Sequence, residues 1–197
     1  MSIASPESPP MPESPPREPR ARRFARGGSP AMLGFALVLF ALPFLSVSCD
    51  APGGYGKMSP GGTTTYTGLD LALGAAPTVD EDHLRPAAEQ QSDDLGVQPL
   101  IALAALAVIG AIAVRFAPAR YRRFSAPIAV LGVVFLAIGT LLARATLVDR
   151  VAEQAIAPFP SGKSAGDYVA LGIGFWIVSG FMFLGAVLGQ LGRRKPG

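Results

Sequence analysis

The residues best equipped for chemistry lie in two stretches of the chain. Asp80, Glu81, Asp82 and His83, with Asp93 and Asp94 further on, offer the carboxylate and imidazole groups that could gather a divalent cation. Consecutive acidic residues point in different directions on any regular backbone, and their spacing matches no calcium-binding loop. A solvated acidic surface is the simpler reading. His83 is the sole histidine, so a Ser-His-Asp triad would have to be built on it, and nothing marks a serine nucleophile. Ser161-Gly162-Lys163-Ser164 ends like a phosphate-binding loop, but that motif needs a glycine five positions before Gly162, where Ala157 stands. The expectation is no catalytic residue, no metal site and no cofactor, hence a protein that is not an enzyme. Cys49 is the single cysteine, which excludes an intrachain disulfide. A lipid-modified cysteine would want an aliphatic residue three positions earlier, and Ser46 is there.

The elements that must position these residues read as membrane helices. Half of the 197 residues are hydrophobic and only 16% are charged, against about a quarter in a soluble domain. The charges are missing from four stretches, about 30–47, 97–116, 126–143 and 168–191, each close to the length that spans a bilayer. The expected fold is an all-α membrane protein, a four-transmembrane-helix bundle. Residues 1–29, with repeated Ser-Pro and Pro-Pro steps and Arg20, Arg22, Arg23 and Arg26, read as a disordered cytoplasmic tail. Residues 192–197 form a basic cytoplasmic end.

Orientation follows the basic residues. With the N-terminus inside, 12 of the 17 Lys and Arg face the cytoplasm and 11 of the 14 acidic residues lie outside. The net charge of +3 therefore reports membrane orientation rather than nucleic-acid binding. The expected location is the plasma membrane, multi-pass, with both termini cytoplasmic. Ionisable residues are absent from the spans, which argues against an ion or proton pathway.

The outer loop, about 48–96, is too long to be mere connection. A Pro60-Gly61-Gly62 turn lies between runs bearing Tyr55 and Tyr66 and suggests a short β-hairpin. Residues 69–74 could form a short helix at the membrane surface. Beyond the third span, Leu147, Val148, Val151 and Ala155 fall on one helical face, predicting a helix that continues past the membrane to Pro158. Candidate partner-binding residues in the loop are Tyr55, Tyr66, Thr67 and Asp70. Gly185 and Gly189 form a small-xxx-small pair suited to close helix packing.

The stretch from Leu42 to Cys49, followed by that from Thr65 to Leu71, resembles uncharacterised four-span membrane proteins of high-G+C Gram-positive bacteria. That resemblance implies a layout and carries no activity. The layout is also similar to that of claudin-type tetraspans, whose first loop has a Trp and two Cys where this one has Cys49 and no Trp. The functional expectation is a non-enzymatic scaffold or accessory subunit in the lipid bilayer. Its outer loop would bind a membrane or extracellular protein, with a homo-oligomer as a further partner and no nucleic acid. The alternatives are a small oligomeric channel or transporter, and a membrane enzyme acting on lipid or cell-wall intermediates.

Overall fold

A computed structural model describes residues 31–52, 54–118, 120–121 and 124–191. The expected tail and basic end lie outside these residues. The chain divides into a helical half and a sheet-bearing cap, and the division falls inside the first apolar stretch. Helix α1, Ala31–Ala41, tightens to a 3-10 turn over Leu39–Ala41 and then stops. Leu42 is extended, at ψ 158°, because the ring of Pro43 disfavours a helical residue before it. Strand β1, Pro43–Ser48, follows at once and buries Phe44, Leu45 and Val47.

β1 is an inner strand of a four-stranded antiparallel sheet. Its other members are β2 (Thr63–Thr67), β3 (Thr78–Val79) and β4 (Val169–Leu171), in the order β3-β2-β1-β4. Ser46 faces Thr65 on one side and Ala170 on the other. Thr67 closes β2 and caps the short helix α2, Gly68–Leu73. The turn out of α2 runs through Gly74 at φ 69°, a left-handed position that glycine takes without steric cost.

Helix α3, Pro99–Phe116, starts on a proline at its first turn, where the missing N–H costs nothing. Helix α4, Ser125–Gln154, is unbroken for 30 residues, and helix α5, Ile173–Leu191, follows β4. Gly132 and Gly139 let α4 lie close to its neighbours. A Cβ on Gly139 would meet Leu100 and Ile101, and one on Gly132 would meet Met182 and Ala107. Ser125 donates its hydroxyl to the Ala111 carbonyl at 3.0 Å, joining α3 and α4 at the end away from the sheet.

This architecture corrects the all-α four-transmembrane-helix bundle. Among the described residues, α4 is the one helix long and apolar enough to cross a membrane. Stretch 30–47 yields a short helix and a strand, because Pro43 disfavours helix before it and the residues after it pair on both sides with Thr63–Thr67 and Val169–Leu171. Within stretch 97–116 the apolar helix is Pro99–Val114, about 24 Å at 1.5 Å per residue, short of a ~30 Å hydrocarbon core. Stretch 168–191 begins as strand β4, leaving the apolar helix Ile173–Leu188. Stretch 126–143 lies within α4. The fold is mixed, helices plus an antiparallel sheet. The hairpin expected about Pro60-Gly61-Gly62 does not form: Thr63–Thr67 pairs with β1, across the excursion of residues 49–62, and not with the run bearing Tyr55.

Candidate functional site: a strapped cap over helix α4

The cap is built from the two segments that hydropathy leaves unassigned. Residues 49–62 form a compact excursion between β1 and β2, closed by a Tyr55–Met58 bridge with paired N–H···O bonds of 3.2 and 2.8 Å. Residues 80–98 then run across it as a strap. Ser59 donates both its N–H and its hydroxyl to the His83 carbonyl, at 2.8 and 2.7 Å. Arg85 gives its backbone N–H to Lys57 O and its Nε–H to Met58 O. Further along, Gln91 N–H reaches Gly56 O at 3.1 Å.

At the centre, β2 points Tyr66 inward beside Tyr55, both rings buried. Tyr66 donates its hydroxyl proton to the Asp93 carbonyl at 2.5 Å. Its one proton being committed, Tyr66 Oη accepts from Tyr55 Oη, 3.0 Å away. Burial pushes both phenols above their usual ionisation range, Tyr66 further because the Tyr55 and Asp93 groups beside it also oppose charge. Burial raises the Cys49 thiol as well, partly offset by the Thr64 hydroxyl next to it. The carboxylate of Asp93 is buried, with Oδ1 3.5 Å from Lys57 Nζ, which reaches in from solvent. Its Oδ2 has no hydrogen-bond partner among the described residues.

Helix α4 anchors the assembly. Its last two turns rise beyond the apolar part and bring Arg150 to the strap and Gln154 to the excursion beneath it, on one helical face, four residues apart. Arg150 donates to Asp94 O at 2.6 Å, and Gln154 Oε1 accepts from Gly56 N–H at 2.8 Å. On the inward face Leu147 and Val151 are fully buried, as the periodicity of that segment predicts. One turn below, Arg144 clamps the start of β4 by donating to Val169 O (3.2 Å) and Gly166 O (3.1 Å).

The sequence-predicted residues fall into place as follows. Tyr55 and Tyr66 come together, but inside the cap, where they hold the loop instead of presenting it. Thr67 and Asp70 form a reciprocal capping box at the start of α2, each side chain bonding the other's backbone N–H, at 3.1 and 2.8 Å. Gly185 packs against Leu33 and Met32 of α1; the surroundings of Gly189 lie outside the described residues. His83 pairs with Asp80 at 3.2 Å. Among the described residues no three His, Cys, Asp or Glu side chains converge as metal ligands. The segment resembling a phosphate loop is a helix cap: Ser164 gives its N–H and hydroxyl to Asp167, which holds that carboxyl below its usual range.

Arg150, Gln154 and Gly56 were not singled out by the sequence, and Asp93 was noticed only as one acidic residue among several. No protein-family description, curated protein or solved structure matches the chain.

Proposed function

We propose that the chain is a membrane-embedded, non-enzymatic scaffold or accessory subunit that offers its cap to a protein partner on the outer side of the plasma membrane. The observation that carries this reading is the change along α4. From Ser125 to Ala143 it holds no charge, about 28 Å of helix, and its outward side chains are bare apolar groups such as Leu141 (56% exposed). At Arg144 the character turns, and Asp149, Arg150 and Glu153 follow. The shorter helices repeat the pattern, with Leu106, Trp176 and Phe183 all more than 60% exposed. So broad an uncovered apolar belt is unfavourable in water and suited to lipid. Helices α3 and α5 pack along α4, and α1 lies against α5.

At the centre of the cap both tyrosine hydroxyls are spent on internal bonds, which favours recognition over turnover. Its most prominent free group is Ile156, 85% exposed and fixed by an N–H bond from Ile156 to Pro52 O at 3.1 Å. A rigid apolar knob at the top of the cap is a suitable anchor for a partner. The basic residues outside the described cap favour placing the opposite end in the cytoplasm.

The test has two arms. With Cys49 replaced by serine, Ser161→Cys should react with a membrane-impermeant maleimide on intact cells, and Pro118→Cys only after permeabilisation, while the protein resists alkaline extraction from membranes. Release by alkaline carbonate, or equal labelling of both sites, overturns the membrane placement. A photocrosslinker at Pro158 should trap a partner that is lost on Ile156→Asp; capture insensitive to that change removes the cap as the interface.

A further inference from the structure

The strap of residues 80–98 is fastened mainly by polar bonds. Asp93 is its one buried residue, while the larger apolar side chains Leu84 and Val97 stay 42% and 58% exposed. A buried carboxylate is costly unless it is fully paired. Asp93 is not: Lys57 Nζ stands 3.5 Å from Oδ1, and Oδ2 has no hydrogen-bond partner among the described residues. Few buried apolar contacts and many exposed backbone bonds mark a segment that opens by itself, ahead of the fold around it.

The groups that hold Asp93 and Asp94 converge from three elements. Lys57 comes from the excursion of residues 49–62, Tyr66 of β2 gives its hydroxyl proton to Asp93 O, and Arg150 of α4 donates to Asp94 O at 2.6 Å. All three are donors and two are cations, so together they receive an extended chain by its carbonyls and a carboxylate. Gly56 lets the chain sit close, since a Cβ there would lie 2.6 Å from Asp93 Cβ. The chain runs on from Arg150 to Ile156, so this recess and the exposed apolar knob lie at the same end of α4.

We infer that the Asp93–Asp94 segment is a tethered occupant of a peptide-binding recess, and that the partner presents an extended acidic segment that takes its place when the strap lifts. This inference rests on the reading of the cap as a protein-binding surface, and adds the chemistry of the partner and an autoinhibitory control. The strap competes as an intramolecular ligand at an effective concentration on the order of a millimolar. Its unpartnered Oδ2 leaves room for a rival, because a segment that satisfies both carboxylate oxygens binds better than the strap does. Charge selects an acidic rival: a neutral segment would leave Lys57 without an anion.

The probe is a fluorescent synthetic peptide with the sequence of Gln90–Gly96, added to the full-length protein in detergent and followed by fluorescence anisotropy. Asp93→Lys sets like charges against Lys57 and lifts the strap. The peptide should bind that variant about tenfold or more tighter than the unaltered protein, whose strap occupies the recess. Binding should weaken as salt is raised, and a peptide with both aspartates replaced by asparagine should bind at least about tenfold less well. Lys57→Glu should also lift the strap, seen as faster hydrogen exchange of residues 80–98, yet fail to bind the acidic peptide. Should Asp93→Lys unfold the cap, the unaltered protein still decides. About 1 mM acidic peptide should quicken exchange of its strap, and the asparagine peptide should not. Equal binding of the two peptides, no gain on Asp93→Lys in a folded cap, or strap exchange that the acidic peptide leaves unchanged overturns the inference. Capture through Ile156 without any of these effects would leave the cap an interface with a permanently closed strap. Peptide exchange without Ile156-dependent capture would keep the recess and remove the outer anchor.

Discussion

Replacing Tyr66 with phenylalanine removes one oxygen from the centre of the cap, yet two partners lose their bonds. The Tyr66 hydroxyl donates to Asp93 O and accepts from Tyr55, so Tyr66→Phe leaves a buried carbonyl and a buried phenol without a partner. Orphaning such groups costs about 1–3 kcal/mol. Tyr55→Phe is milder, about 0.5–1.5 kcal/mol, because the bond from Tyr66 to the strap survives it. In the double variant Tyr55 no longer has a hydroxyl to strand, so it should be no less stable than Tyr66→Phe alone. Hydrogen exchange of peptides from residues 80–98, in detergent or nanodiscs, reads the opening of the strap directly. Exchange should quicken roughly 5- to 150-fold for Tyr66→Phe, less for Tyr55→Phe, and no further in the double variant. Additive effects, or a larger effect at Tyr55, would refute the relay from Tyr55 through Tyr66 to the strap.

Gly56→Ala should lower the cap's melting temperature, since φ is +56° there and the new Cβ would lie 2.6 Å from Asp93 Cβ; the backbone alone costs about 1–2 kcal/mol. Arg144→Leu should release β4 by about 1.5–3 kcal/mol, seen as faster exchange of the amides of Val169–Leu171 with α4 unchanged. The cap should also be alkali-sensitive. Tyr55 and Tyr66 have folded pKa values raised above their usual value near 10, so their contribution is complete below that pH and is lost as pH climbs toward the folded values. Cys49, raised from near 9, adds a loss that begins earlier. Tyrosinate absorbance followed with exchange should show cap opening and late phenol ionisation together; prompt ionisation of all tyrosines in an intact cap would contradict it.

Hydropathy located the apolar helices because long uncharged runs are what it detects, though it overran α1 and α5 into strands. The continuation of α4 past Arg144 was legible too, since Leu147 and Val151 keep a 3.6-residue period among charges. Strands β1 and β4 escaped it for one reason. Pro43-Phe44-Leu45 and Val169-Ala170-Leu171 are as apolar as the helices they adjoin, and a short apolar run carries no period that tells strand from helix. Pro43 was the available signal, since a proline inside an apolar run disfavours helix at the residue before it. The strap was illegible for a different reason. Asp93 is one of several acidic residues in its segment, and only contact with Lys57, Gly56 and Tyr66 distinguishes it from neighbours that face water. Tyr55 and Tyr66 were found as a pair worth noticing, by residue type, while their burial depended on partners nearly thirty positions away.

The sheet has a consequence for how this molecule can be inherited. Its strands come from three separated parts of the chain: β1 directly after α1, β2 and β3 between α1 and α3, and β4 between α4 and α5. No single cut-and-paste of sequence lifts the cap away whole. Removing the outer segment would strip β1 of β2 and leave β4 as its remaining neighbour, so both faces of the join would lose their lattice of backbone bonds. Gene shuffling that trades modules at their borders therefore has no border to use here.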